Sequence, residues 1–320
     1  MAARLRGGID LGGTKIQAIV ADADHQVVGQ ARMPTPSIGG PDDVVAALAD
    51  AQRAAADDAG VRTSDLAGVG LGSPGDVDQG AGTVAQAGNL PSWHEPVPVA
   101  DILGTALGTR VAIGNDVSVA TRAEFELGAG KPYRSLLGVF WGTGVGGGLI
   151  LEGEEWLGRG AAGEIGHMVV KRGGALCPCG RRGCMEAYAG RKAMEAEARR
   201  RHADGERTHL FKIMEERGRD RLTSGIWARA LDRGDELAEE LFERAYQALG
   251  AGVASAINLL DVEAVVLGGG LGVRFGDEAA KRLSDAMRPH LFNDDRPPTV
   301  AVAALGDLGG ALGAAMLVEA

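Results

Sequence analysis

The sequence predicts an α/β protein of two lobes, each built on the same unit. Two glycine- and threonine-bearing turns carry this expectation: Gly8-Ile9-Asp10-Leu11-Gly12-Gly13-Thr14-Lys15 and Gly142-Thr143-Gly144-Val145-Gly146-Gly147-Gly148. Each lies between β-prone runs, with residues 16–20 following the first and 149–151 the second. Residues 8–20 and 139–151 therefore read as two copies of one strand-turn-strand unit, an internal duplication. Length and composition agree, because 320 residues with 45% hydrophobic content can bury a large core and divide into two lobes.

In the first lobe, β structure is expected over residues 9–21 and 27–33, a helix over 42–60 and a buried strand over 68–71. A Gly-, Pro- and Asp-rich loop then passes Gly75 and Asn89 to Trp93. A helix near 99–107 and a strand over 111–113 follow, with Asn115 and Asp116 at the strand's C-terminal end, where open α/β sheets bind ligands. The second lobe holds the second turn, a charged helical stretch over 186–244, a strand over 264–267 and another over 299–303. A terminal helix from Asp307 is expected to return to the first lobe, so the expected domains are 1–116 with 306–320, and 117–305.

The glycines show what the turns can bind. Without side chains, Gly12, Gly13, Gly142 and Gly144 let backbone N–H groups approach phosphate oxygens, and Thr14 and Thr143 add hydroxyl donors. A cleft between two such lobes would bring both turns to one nucleotide. Asp10 would help position Mg²⁺ through water, since that ion gives up its waters reluctantly; the alternative is a carboxylate that stabilises the turn. Lys15 reads as a phosphate contact or as a solvated hairpin residue. No Gly-x4-Gly-Lys-[Ser/Thr] occurs, which excludes a P-loop. Gly268, Gly269 and Gly270 follow a strand with the wrong spacing for a dinucleotide fingerprint, and read as the surface for adenine and ribose.

A formal net charge of −10 weighs against a nucleic-acid surface. The triplet Arg199-Arg200-Arg201 has acidic neighbours and reads as a solvated helical face. No apolar run is long enough for a membrane span. Nothing like a secretory signal precedes Ile9, so a cytoplasmic protein with reduced thiols is expected. All 3 cysteines lie in the run His167-x9-Cys177-Pro178-Cys179-x4-Cys184. Their odd number and the closeness of Cys177 to Cys179 disfavour disulfides. His167, Cys177, Cys179 and Cys184 would fill a four-coordinate zinc shell, a structural site with no position left for a catalytic water. Such a clip would fix Glu164 and Glu186 in one pocket with His167.

The turn at 10–15, Gly114-Asn115-Asp116, the turn at 142–148, Gly163-Glu164-Ile165-Gly166-His167 and the Cys-x-Cys-Gly-x2-Gly-Cys-x-Glu run ending at Glu186 together resemble the ROK family of sugar kinases and repressors. Among members, the chain is most similar to bacterial glucokinases. The resemblance implies the two-lobed actin-like ATPase fold, a ribonuclease H-like duplication with nucleotide and sugar between the lobes. It further implies MgATP as donor and glucose or a related sugar as acceptor, with Asp116 as general base where its position alone suggests a helix cap. Gly75, Asn89, Asn115, Asp116, Glu164, His167 and Glu186 would bind the sugar. With one ring nitrogen on zinc, His167 would donate a hydrogen bond rather than act as the base. Trp93 and Trp156 are candidates for the sugar rim or the core. Family kinases are commonly dimers or tetramers, so a homo-oligomer is expected. Family repressors carry a helix-turn-helix before the first turn, and only seven residues precede Gly8. One departure is Gly190, where members commonly have serine.

Overall fold

A computed structural model describes residues 5–88 and 90–318. The chain forms two compact units: residues 1–131, 155–162 and 304–320 make the first, and 132–154 and 163–303 the second.

The first unit opens with strands β1 (Arg6–Leu11), β2 (Lys15–Ala21) and β3 (Val27–Pro34), then helix α1 (Pro41–Asp58). Strand β4 (Val69–Ser73) leads to the small hairpin β5 (Asp76–Asp78) and β6 (Thr83–Ala85). Helix α2 (Val99–Leu107), strand β7 (Val111–Asn115) and helix α3 (Asp116–Leu127) follow. The sheet order is β3-β2-β1-β4-β7; β1 pairs antiparallel with β2 and parallel with β4, and β4 pairs parallel with β7.

Side chains alternate across a strand, so β2 feeds two cores. Ile16, Ala18 and Val20 pack with Val44, Leu48 and Ala55 of α1 and Leu103 of α2. Ile19 and Ala21 pack on the opposite face with Ala123 of α3 and Ala311, Leu312 and Ala315 from the far end of the chain. Helix α1 starts with proline at its first position and with Asp43 accepting from the Gly40 N–H, and it turns Val44, Leu48, Ala51 and Ala55 inward at helical spacing.

The second unit repeats this plan. Strands β8 (Leu136–Trp141) and β9 (Val145–Leu151) form its first hairpin, with the two-residue β10 (Glu154–Glu155) at the edge. Helices α4 (Glu186–Ala189), α5 (Arg191–Ala203), α6 (Leu210–Glu216), α7 (Ser224–Asp232) and α8 (Glu236–Leu260) occupy the charged stretch. Strand β11 (Ala264–Gly268), helix α9 (Gly269–Met287) and strand β12 (Thr299–Val302) complete the unit. The sheet order β10-β9-β8-β11-β12 matches that of the first sheet strand for strand, and β8 again pairs antiparallel with its hairpin partner and parallel with the next strand. Trp141, Trp227, Phe242 and Tyr246 form an aromatic core between β8, α7 and α8.

The chain then returns to the first unit as α10 (Gly309–Ala315), which packs on β1, β4 and α3. Gly8 and Gly70 permit the approach: a Cβ at Gly70 would lie 1.7 Å from the Ala314 carbonyl oxygen. Glu124, buried on α3, holds the return by accepting from the N–H groups of Ala304 and Leu305. Helix α3 therefore belongs with the first unit, whereas a boundary at 116/117 would have put it in the second. Among the described residues no helix is long and apolar enough to cross a membrane. Arg199, Arg200 and Arg201 are each ion-paired, to Glu195, to Glu197 and Asp204, and to Glu206 and Glu240.

Candidate active site

In the first unit, candidate groups gather at the C-terminal ends of β1, β4 and β7. The β1–β2 turn is closed by Gly12 N–H donating to the Lys15 carbonyl, and the Thr35 hydroxyl donates to the Gly12 carbonyl. Asp10 precedes this turn, opposite Gly72 of β4, and Gly310 packs so closely that a Cβ there would lie 2.7 Å from its carboxyl carbon. Burial pushes the Asp10 carboxyl up to about 6; Lys15 opposes this rise and Asp307 adds to it. Lys15 Nζ stands 2.8 Å from Asp307 Oδ1, and Arg32 Nη1 stands 3.2 Å from Asp307 Oδ2. Lys15 is thus ion-paired rather than a solvated hairpin residue.

The raised Asp10 pKa has a consequence for stability. The folded state holds the Asp10 proton more tightly than the unfolded chain, so this contribution is fully present below about pH 4 and is lost as pH rises through about 6. Asp10→Asn is therefore expected to match the parent at pH 4 and to be more stable at pH 8, by about 1–3 kcal/mol in magnesium-free buffer. Urea unfolding at both pH values measures this, and an unchanged difference between them would refute it.

At the end of β7 the structure separates two roles that position alone leaves merged. Asn115 is the N-cap of α3, with Oδ1 accepting from Val117 N–H at 3.0 Å and Ser118 N–H at 3.1 Å. Asp116 is the first residue of the helix, and its Oδ1 accepts from Val117 N–H at 2.9 Å. The cap is therefore Asn115, which leaves its Nδ2 donors as the part suited to a ligand. Gly75 has φ 98° and packs on the Ala85 carbonyl oxygen. Asn89 lies outside the described residues. Trp93 is buried, with Nε1 donating to the Val84 carbonyl, so it belongs to the core; Trp156 is exposed.

In the second unit, Gly163 and Gly166 lie against the backbone of β9. A Cβ at Gly163 would fall 2.5 Å from the Gly147 oxygen, and Gly163 also needs its φ of 87°. This contact holds Glu164 and His167 beside the second turn. The His167 Nδ1 faces Cys177 Sγ at 3.7 Å, and its Nε2 faces Glu164 Oε2 at 3.8 Å. Cys179 Sγ and Cys184 Sγ are 3.7 Å apart, and all four ligand atoms lie within 4.8 Å of one another. Tetrahedral geometry with metal–sulfur bonds of about 2.3 Å puts two sulfurs about 3.8 Å apart. The Cys179–Cys184 separation matches that value, and the other ligand atoms are close enough to share one ion. Burial and the neighbouring thiols push Cys177 up to about 12. Cys179, against the effect of burial, is drawn down to about 7 by the Arg181 backbone N–H and the adjacent thiols. A bound cation would resolve that conflict by favouring all three thiolates.

Glu186 joins this segment to the second turn. Its Oε2 accepts from Val145 N–H at 2.9 Å, its Oε1 lies 4.0 Å from Cys177 Sγ, and a Cβ at Gly144 would fall 2.1 Å from Oε2. The absence of serine at Gly190 is compensated locally: the turn carbonyls of Gly142 and Thr143 accept from the Arg191 and Lys192 N–H groups and satisfy the start of α5. Gly268–Gly270 does not form a free turn, because β11 runs directly into α9 at Gly269. A Cβ on Gly142 would lie 3.5 Å from Gly270 N, so the second turn and this helix start are adjacent.

Two sheets of one strand order, each with a Gly-Thr turn in its first hairpin, define the actin-like ATPase class of α/β proteins. The ROK family model matches residues 6–320, and the chain belongs to that family. It is 31% identical over 317 residues to a glucokinase of Streptomyces coelicolor, covering 98% of this chain and 96% of that one. It is 32% identical over 321 residues to an N-acetylgalactosamine kinase of Shewanella sp., covering 97% and 95%. A ROK family glucokinase of Streptomyces griseus, solved in complex with glucose and AMPPNP, superposes with a TM-score of 0.84 at 31% identity, covering 98% of each chain.

Proposed function

We propose that this protein is a sugar kinase that transfers the γ-phosphoryl group of MgATP to the 6-hydroxyl of glucose. The observation that carries the reading is the division of labour at the start of α3: Asn115 caps the helix, and so Asp116 is not required as its cap. In this reading Asp116 accepts the 6-hydroxyl proton as that oxygen bonds to the γ-phosphorus and the bond to the ADP oxygen breaks. The half-buried Asp10 would hold Mg²⁺, which neutralises charge on the phosphates when bound. Gly13, Thr14, Thr143 and Gly144 would offer donors to phosphate oxygens, while the Gly12 and Gly142 N–H groups close the two turns on the Lys15 and Gly144 carbonyls, and Gly268, Gly269 and Gly270 would give a small-residue surface for adenosine. Lys15 would contribute to phosphate binding only by exchanging its Asp307 partner.

Zn²⁺ in the His167, Cys177, Cys179 and Cys184 shell would be structural, keeping His167 Nε2–H as a donor to a sugar oxygen. Glu164 would accept from a sugar hydroxyl, Glu186 would fix the second turn and accept through its remaining oxygen, and Asn115 would donate through Nδ2. Gly75 and Asn89 would close the other wall. The similarity to glucokinases supports glucose, and the comparable similarity to an N-acetylgalactosamine kinase defines the test.

With MgATP, kcat/KM is expected to be highest for glucose, lower for mannose, and lower by about 10-fold or more for N-acetylglucosamine and N-acetylgalactosamine, since an unmatched polar group in a fitted site is costly. Preference for an acetamido sugar would retain the kinase and overturn the glucose assignment. No phosphorylation of any of the four sugars would overturn the kinase reading itself.

A further inference from the structure

The second turn carries a charged side chain that the reading above does not use. Arg191, the first residue of α5, donates from Nη2 to the Thr143 hydroxyl oxygen at 3.0 Å and from Nη1 to the Leu222 carbonyl at 2.8 Å. Its backbone N–H also donates to the Gly142 carbonyl, so main chain and side chain both hold the turn. Gly190 precedes Arg191 against the same turn, where a Cβ would come 2.9 Å from the Glu186 carbonyl oxygen and 3.3 Å from Gly144 Cα.

Both guanidinium acceptors are neutral. Among the described residues no carboxylate forms an ion pair with Arg191. Its neighbour one helical turn on, Glu195, is committed elsewhere: Oε1 accepts from Arg199 and Oε2 from the Leu222 N–H. A half-buried cation in a chain of net charge −10 thus has no ion-pair partner among the described residues; Glu195 acts on it only through space, and Arg221 opposes that effect. Burial accordingly lowers the affinity of Arg191 for the proton, which an arriving anion would reverse. The bond to Thr143 uses that hydroxyl as an acceptor and leaves its O–H to donate, while further N–H groups of the guanidinium stay available beside it.

We propose that Arg191 binds the phosphate donor: seated on the Thr143 hydroxyl, its guanidinium takes an oxygen of the terminal phosphates and orients the Thr143 O–H toward them. This rests on the second turn being a phosphate turn. The chemistry recognised is a polyphosphate chain, whether it belongs to ATP or to inorganic polyphosphate.

The test uses the full-length protein and its Arg191→Met and Arg191→Lys variants. Losing a charge-assisted hydrogen bond is expected to raise the KM for MgATP by about 10- to 100-fold in the methionine variant, with the KM for sugar almost unchanged. Lysine keeps the charge without the fork and is expected to recover part of the loss. Inhibition by tripolyphosphate should weaken in parallel, whereas inhibition by adenosine, which has no phosphate, should not change. If tripolyphosphate weakens and MgATP does not, the site serves an inorganic donor. Unchanged constants for both phosphate compounds, or adenosine and sugar weakening equally with them, would reduce Arg191 to a structural tie and overturn the proposal. Should the methionine variant fail to fold, Arg191→Gln, which keeps a side-chain N–H donor but has no charge, bears the same expectation. A parent protein that phosphorylates no sugar, yet loses tripolyphosphate binding on substitution of Arg191, would defeat the kinase reading and leave this inference standing.

Discussion

Asp116→Asn is expected to lower kcat by about 10²- to 10⁴-fold, the range for losing a general base, while the KM for glucose changes far less. The amide keeps the shape of the side chain, and its oxygen can still accept from the Val117 N–H. What it lacks is a lone pair basic enough to take a proton. The cap of α3 stays intact because Asn115 provides it, and removing a charge from the first turn costs only about 0.3–1 kcal/mol. Turnover and stability should therefore separate: a large loss of rate with little change in melting temperature. A variant with near-parental kcat would place the base elsewhere.

Cys179→Ser is expected to take the metal content from about one zinc per chain to none, and to abolish sugar binding with it. The segment from His167 to Cys184 has backbone ties of its own: the Val170 and Lys171 N–H groups donate to the Gly183 carbonyl, Gly183 N–H to Ala175, Cys177 N–H to Arg181 and Gly180 N–H to Cys177. Each such bond contributes about 0.5–1.5 kcal/mol, whereas a structural zinc contributes about 10–16 kcal/mol of apparent binding free energy in peptide sites at neutral pH. If the shell holds zinc as proposed, its loss would free the His167 ring at Nδ1 and would leave Glu186 without a rigid neighbour at Cys177. Elemental analysis and sugar titration calorimetry measure the two effects. A metal-free variant that binds sugar normally would show that the thiols and backbone hold the clip unaided.

Local chemistry makes much of this legible in the sequence. Glycine-threonine turns between β-prone runs mark hairpins because only certain residues tolerate such turns, and the same pattern twice gives two sheets of the same strand order. The Cys and His spacing marks a shell because its members are close in sequence. What stayed hidden depends on contacts between distant residues. Lys15 and Asp307 pair across 292 positions, and Arg191 reaches Thr143 across 48. Neither partner is distinguishable locally from a solvated charge. The assignment of Asn115 rather than Asp116 as cap turned on a single residue, below the precision of a spacing argument. Trp93 is rim or core by sequence alone, and its indole bond to the Val84 carbonyl, which makes it core, is marked by no periodicity.

The return of α10 to the first sheet also fixes an order of events during synthesis. The surfaces around Gly8 and Gly70 are shaped to receive Ala311, Ala314 and Ala315, and until those residues leave the ribosome they have nothing to cover them. At about 5–20 residues per second, the first strand waits roughly 15–60 s for its last partner. The second unit waits about half as long, because its strands run only from β8 at Leu136 to β12 at Val302. The half of the molecule translated later is thus the half able to complete itself first.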